Sequence, residues 1–323
     1  MKAVLLVGGM GTRLRPLTYR IPKPLLPVMG KPLIMHVIDS IPGEVDEVIV
    51  PVGYKRDMME EYLSSHPPGR RITLVDEPEP LGTGGAVRNV GEHIDGQFLV
   101  INGDVITSLD VASFLRFHRA KGGIASISLW PVEDPSPFGV AQLDGDQRIT
   151  RFQEKPKREE AFSKLINAGA YALEREVLDY IGDGFVSMER EVFPKLLDRG
   201  MYGFQFDGHW IDCGTRENVL SAHRTLMGDR AAVSKSSVTE GATVHAPSHV
   251  GDEAVVAGAV IGPGTYVSQR CVVGPMSAVE GSVLYGDVRI GTRCRVVDSI
   301  IDEGVSVPDG AEVVSQIVSR SEK

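Results

Sequence analysis

The chain has 323 residues, 42% hydrophobic and 24% charged, which is enough apolar material for one large packed domain or two ordinary ones. A net charge of −9 and a pI near 5.4 argue against a nucleic acid or an anionic membrane surface as the main partner. The three cysteines, Cys213, Cys271 and Cys294, include no Cys-x-x-Cys, so neither a disulfide framework nor a zinc site is indicated and a reducing cytoplasm fits; no run of about 18 apolar residues offers a membrane span.

Lys2–Val7 reads as a buried strand, too short for a signal peptide. Gly8, Gly9 and Gly11 follow it, and without a Cβ they let backbone N–H groups approach a ligand. Thr12, Arg13, Arg15 and Lys23 then add a hydroxyl and three cations, a chemistry suited to polyphosphate. The loop is neither a Walker A sequence nor a G-x-G-x-x-G turn. Glycines alone fit an ordinary tight turn equally well; the added Thr-Arg-Leu-Arg and Pro22-Lys23-Pro24, whose prolines stiffen the segment around the lysine, favour phosphate.

Strands and helices then alternate. Helices are predicted over Pro32–Ile41, Arg56–Ser65, Thr83–His93 and Leu109–Ala120; strands are predicted over Glu47–Val52, Arg71–Asp76, Gln97–Ile101 and Ile124–Trp130. This is the pattern of βαβ units and a mostly parallel sheet, whose ligands sit at the carboxyl ends of strands. The glycine loop and Asn102-Gly103-Asp104 both fall at such ends. From 131 to 228 the pattern loosens into strands at Gly139–Leu143, Ile149–Phe152 and Ile166–Ala172 and helices at Met188–Asp198 and Glu217–Leu226, read as an extension of the same domain that covers the substrate.

After Gly228 an aliphatic residue recurs every six positions: Val238, Val244, Val250 and Val256, then, after a one-residue slip, Ile261, Val267, Val273 and Val279. This hexad predicts a left-handed parallel β-helix with coils of about 18 residues. The division expected is therefore 1–228 and 229–323, with Asp229–Ser236 as linker. His245 and His249, four apart in the repeat, are read as surface residues rather than a ligand pair.

Three further clusters carry chemistry. Asp104 could hold a magnesium ion against phosphate oxygens, and Asp212 in Trp-Ile-Asp-Cys-Gly is a second acid after an apolar run. Leu81-Gly82-Thr83-Gly84-Gly85-Ala86 opens a helix and could line a base or meet an anion, or be a simple cap; Glu77 lies just upstream and could read a base edge. Glu154-Lys155-Pro156 places an acid and a base on one short strand, which requires a bend, expected at Pro156, if both face one ligand.

The stretch G-G-M-G-T-R-L-R-P-L-T with P-K-P-L-L-P-V resembles the opening of the sugar-phosphate nucleotidyltransferases. That resemblance implies a Rossmann-like α/β domain that takes an NTP and a sugar 1-phosphate and releases pyrophosphate. It places the nucleotide on Gly8, Gly9, Gly11, Thr12, Arg13 and Gly82, with Arg13, Lys23, Asp104 and Asp212 catalytic and Mg²⁺ on the two aspartates. It places the sugar phosphate on Gly139, Glu154, Lys155 and Asn167. Stretches such as Ser187–Pro194 and Gly208–Gly214 are similar to the mannose-1-phosphate guanylyltransferase branch, which implies GTP and mannose 1-phosphate. Asn102-Gly103-Asp104 departs from that branch's N-S-D, and Gly84 stands where alanine is commoner. The alternatives are a glucose-1-phosphate thymidylyl- or uridylyltransferase, a non-catalytic nucleotide-sugar-binding homologue, and an acyltransferase in the hexads. The repeats are expected to join copies into a homo-oligomer.

Overall fold

The computed structural model describes residues 1–320, so the last three positions of the expected 229–323 segment lie outside the described residues. The chain folds as two compact units. The first comprises residues 1–10, 23–25 and 33–210, and the second residues 11–22, 26–32 and 211 onward.

A nine-stranded sheet organises the first unit. Its strands are β1 (Lys2–Leu6), β2 (Glu47–Val52), β3 (Arg71–Asp76), β4 (Phe98–Asn102), β5 (Ala125–Pro131), β6 (Gly139–Leu143), β7 (Ile149–Glu154), β8 (Leu165–Leu173) and β9 (Met201–Gln205). The order is β7-β6-β8-β4-β1-β2-β3, with β5 paired to both β8 and β9. The β4-β1-β2-β3 half is parallel, as the alternation with helices requires. β8 then runs antiparallel to β4, β5 and β6, so strands of the 131–228 region join the same sheet, while its residues from 211 on fall in the second unit.

Helices α1 (Leu33–Ser40), α2 (Arg56–Ser65), α3 (Gly82–Asn89) and α4 (Val111–Lys121) cover the sheet. Two apolar clusters result: Leu5, Ile34, Val48 and Phe114 belong to one, and Val4, Val87, Phe98, Tyr171 and Phe193 to the other. Val4 and Leu5 point to opposite clusters, which is the period-two alternation of a strand buried on both faces.

In the second unit, α5 (Arg216–Met227) precedes three parallel sheets that wrap into a β-helix. Val250, Val267, Leu284, Ile301 and Val318 stack in register 17 residues apart, not the 18 expected. The reason is that the slip after Val256 recurs. The steps Val279 to Leu284 and Val296 to Ile301 also span five residues, so each turn of this column contains one short step, although Ile261 and Val279 still pair 18 apart. The aliphatic column is almost fully enclosed, each fully buried side chain contributing roughly 1.5–3 kcal/mol.

Two predictions on this unit are corrected. Ala231–Val233 is not linker but the first strand, pairing with Ser248–Val250. His249 is half-buried, its ring stacked on Tyr266 at 4.9 Å, because it projects from a coil face that carries an aromatic on the next coil.

Candidate active site

At the carboxyl ends of the parallel strands lies a cleft of about 310 Å³, lined by Leu6, Gly8, Gly9, Pro51, Glu77, Pro80, Gly82, Thr83, Ala86, Asn102, Asp104 and Phe185. Four residues singled out in the sequence for nucleotide or metal, Gly8, Gly9, Gly82 and Asp104, thus meet in one place. Gly8 and Gly9 face open space, and Gly9 has φ +108°, a conformation that favours glycine. Lys23 is buried and its Nζ lies 2.5 Å from Asp104 Oδ2, so the stiffened lysine and the strand-end acid form one charged pair.

Gly103 explains the departure from N-S-D. Its amide donates to Leu6 O at 2.8 Å, and a Cβ there would stand 2.8 Å from Val7 Cγ1. Val7 occupies the space that a serine would need. Gly84 has a similar cause: a Cβ would meet Val186 Cγ1 at 2.9 Å. Glu77 sits where β3 ends; its amide donates to Val52 O and its Oε1 accepts from Leu81 N at 3.0 Å.

The residues singled out for sugar phosphate form a second group in the same unit. Gly139 pairs with Glu154 across β6 and β7, and a Cβ on Gly139 would come within 2.6 Å of Phe152 and 2.9 Å of Glu154 Oε2. The bend expected at Pro156 occurs one residue earlier, since Lys155 itself has φ +46° while its amide donates to Phe138 O. Lys155 Nζ then lies 3.6 Å from Glu154 Oε1, the lysine exposed and the glutamate mostly buried. Burial and the nearby Glu189 push the Glu154 carboxyl above its ordinary range, against the opposing pull of Lys155.

Asn167 sits where the β8–β5 register breaks. Its Oδ1 accepts from Gly169 N, and its Nδ2 donates to Tyr171 Oη at 2.8 Å. Tyr171 Oη donates to Glu189 Oε1 at 3.1 Å, and Glu189 Oε2 accepts from Thr83 Oγ1 and Ser187 Oγ, both at 2.8 Å. The sequence reading gave Glu189, Asn102 and Phe185 no role. Glu189 was visible only as part of the Ser187–Pro194 run.

Gly11, Thr12, Arg13 and Asp212 belong to the second unit. Gly11 has φ +58° and begins the turn Thr12–Leu14, which presents Thr12 and Arg13 to solvent. Arg13 Nη2 and Asp212 Oδ1 lie 2.5 and 3.0 Å from the point where a Cβ on Gly214 would stand, so the glycine leaves room for both charges.

Among the described residues no group of three or more His, Cys, Asp or Glu side chains is placed to hold a metal ion. A magnesium ion that takes phosphates and waters for its other ligands needs only one or two carboxylates. Asp104 fits that role: it lines the cleft, and its Oδ2 pairs with Lys23. No helix among the described residues is long and apolar enough to cross a membrane.

A family model described as nucleotidyl transferase matches residues 2–228, and one described as GlmU-like, C-terminal hexapeptide, matches residues 231–318. The mannose-1-phosphate guanylyltransferase of Mycobacterium tuberculosis is 39% identical over 286 residues, covering 81% of this chain and 76% of that protein. The probable mannose-1-phosphate guanylyltransferase 1 of Oryza sativa is 36% identical over 273 residues, covering 81% and 75%. Among solved structures, HddC from Yersinia pseudotuberculosis complexed with GMP-PN superposes with a TM-score of 0.59 at 29% identity, covering 70% of this chain and 99% of that one.

Proposed function

The chain belongs to the nucleotidyl transferase family, and from that premise we propose that it makes GDP-mannose and pyrophosphate from GTP and mannose 1-phosphate, with Mg²⁺. The observation that carries the proposal is the glycine-lined cleft at the strand ends, holding Asp104 and the Lys23 pair, in the same unit as the Glu154–Lys155 group. In this reading catalysis belongs to residues 1–228, in a cytoplasmic protein whose repeats from 229 onward join copies together.

Guanine is favoured by Glu77. A carboxylate accepts from the adjacent N1–H and N2–H₂ donors of guanine, whereas uracil and thymine present one N–H flanked by two carbonyls that a carboxylate repels. The relatives named for mannose-1-phosphate guanylyl transfer and the HddC complex with GMP-PN point the same way.

The reaction needs no protein nucleophile, because a phosphate monoester is already anionic at neutral pH. One of its oxygens bonds to the α-phosphorus while the bond to the bridging oxygen of the β-phosphate breaks, and pyrophosphate leaves with that electron pair. The chain's contribution is orientation and charge. Gly8, Gly9, Gly11, Thr12 and Gly82 hold the nucleotide, and Arg13 holds the leaving β- and γ-phosphates. Lys23 steadies charge at the α-phosphate. Lys155 aligns the attacking phosphate, while Glu154, Asn167 and the Gly139 backbone hold the sugar. Asp104 and Asp212 would hold the magnesium ion, which when bound neutralises phosphate charge.

The test is pyrophosphate release across a grid of NTPs and sugar 1-phosphates with Mg²⁺. GTP with mannose 1-phosphate is expected to turn over fastest. A maximum with UTP or dTTP and glucose 1-phosphate would replace the substrate assignment, and silence in every combination would reject the enzyme. Arg13→Ala and Asp104→Ala should each lower kcat/KM by about 10²-fold or more. The hexapeptide match favours one second reading, an acyltransferase in the repeats; an acetylated product on adding acetyl-CoA and an amino-sugar phosphate would establish it.

A further inference from the structure

The most exposed large hydrophobic side chain among the described residues is Phe185, with 70% of its surface accessible. A lone surface hydrophobic needs no explanation. Phe185 differs in two respects: it lines the nucleotide cleft, and the backbone carrying it is fixed. Val186 N donates to Leu81 O at 2.8 Å, and Val186 O accepts from Gly84 N at 2.8 Å and Gly85 N at 3.2 Å. Met188 N donates to Thr83 Oγ1 at 2.9 Å, and Thr83 in turn donates to Glu189. Residues 184–189 are thus strapped across the start of α3.

The strap accounts for the glycines beneath it. A Cβ on Gly82 would stand 2.6 Å from Val186 O and 3.3 Å from the Phe185 ring; one on Gly85 would stand 2.4 Å from Gly184 O. These glycines let the strap lie close, and the strap holds an aromatic ring at the cleft edge. Gly8 and Gly9, which also line the cleft, have no side chains to fill it. A flat apolar body is the ligand that an exposed ring and bare backbone accommodate.

We propose that Phe185 is a base-stacking residue whose ring covers one face of the purine of the bound nucleotide. The proposal rests on the reading of the cleft as the nucleotide site and adds a residue to it. Glu77 reads the base edge, whereas Phe185 takes the base face and contributes affinity without hydrogen-bond readout. A purine, with two fused rings, gains more from that contact than a pyrimidine.

The test compares wild type, Phe185→Ala, Phe185→Leu and Phe185→Trp for binding of GTP, UTP and inorganic tripolyphosphate by calorimetry, and for KM of each substrate. Phe185→Ala is expected to weaken GTP about 10-fold or more, in line with the loss of one base–aromatic stack. It should leave tripolyphosphate binding unchanged and the KM for sugar 1-phosphate within about twofold. Phe185→Leu should resemble alanine, because it restores apolar volume without a π face. Phe185→Trp should keep the affinity and show indole fluorescence quenched by GTP. Because the side chain is mostly exposed, all three variants should melt with the wild type. If wild type binds GTP and Phe185→Ala binds it equally well, the stacking role is wrong while the cleft assignment stands. Equal loss for GTP and tripolyphosphate would also overturn it. If wild type binds no NTP, both fail together.

Discussion

Gly214 offers the sharpest test of how the charged groups are placed. Ordinary van der Waals contact begins near 3.4 Å, and an alanine Cβ at 214 would stand 2.5 Å from Arg13 Nη2, so the guanidinium must withdraw by 3.4 − 2.5 = 0.9 Å. Asp212 Oδ1, at 3.0 Å, must give by 3.4 − 3.0 = 0.4 Å. Gly214 is not in the left-handed region, so the alanine backbone carries no conformational penalty, and the displaced guanidinium is the end of a long exposed side chain. The fold should therefore be nearly indifferent, with a melting temperature within about 2 °C of wild type. A displacement near 1 Å in a group that orients a reacting phosphate costs about 10²-fold. Gly214→Ala is accordingly expected to lower kcat/KM for pyrophosphate release by about two orders of magnitude. In an Arg13→Ala background the same substitution should cost much less, because the group it displaces is gone. Wild-type kinetics in a folded Gly214→Ala protein would refute the role given to Arg13, and full additivity with Arg13→Ala would refute the route by which the alanine acts.

Three other outcomes concern stability. Gly103→Ser places its Cβ against Val7 Cγ1 and should cost about 1–3 kcal/mol, much of it recovered when Val7→Ala is added; strictly additive melts would show that the two positions do not share that space. Burial holds the His118 imidazole below its ordinary value despite Glu174 at 3.3 Å, with Ser126 Oγ at its other nitrogen. Since the folded pKa is depressed, its contribution is whole above the unfolded value near 6.5 and declines as pH falls below it. His118→Gln should flatten the melting profile between about pH 7 and 5, and parallel profiles would exclude the histidine as the cause. Arg20 pairs with Asp302 at 2.8 Å, and that carboxylate is only 8% exposed. Arg20→Ala should destabilise by about 1–3 kcal/mol, with Arg20→Lys intermediate; an unchanged melt would show that Asp302 is satisfied without the guanidinium, by donors such as Ser319 Oγ and Glu303 N.

What was legible in the sequence followed from periodicity and length. Long apolar strands such as Glu47–Val52 and helices such as Arg56–Ser65 have the predicted bounds, because the strand is buried from Val48 onward and the helix carries a clear apolar stripe with Met59 and Leu63 buried. Short strands with mixed composition, Val105–Thr107 and Trp210–Asp212, were not predicted; too few residues alternate in them to set a period. The helix predicted over Met188–Asp198 is a π turn at Met188–Val192, a single α turn and a 3₁₀ turn, and periodicity cannot distinguish these. In the repeat, one five-residue step resembled an irregularity, whereas it recurs after Val279 and Val296 at the corner that leads into the six-stranded sheet. The left-handed backbone at Lys155 had no signal either, since lysine shows no preference for positive φ.

The site residues divide in the same way. Glycines, cations and strand-end acids announce themselves by type, and Gly8, Gly9, Lys23 and Asp104 do meet. Glu189 does not, because a glutamate inside a helical run reads as solvated surface. Its role comes from its partners. One carboxylate accepts from Thr83 and Ser187 on Oε2 and from Tyr171 on Oε1, and Tyr171 accepts in turn from Asn167. Tyr171 is fully buried, and burial together with Glu189 holds its phenol well above the usual range, so it stays a donor throughout physiological pH. The start of α3 and the Asn167 turn are therefore set by the same side chain. Glu189 is thereby tied to Thr83, which lines the strand-end cleft, and through Tyr171 to Asn167, in the group proposed to hold the sugar. Within the Ser187–Pro194 run, Glu189 thus links those two neighbourhoods through its hydrogen bonds.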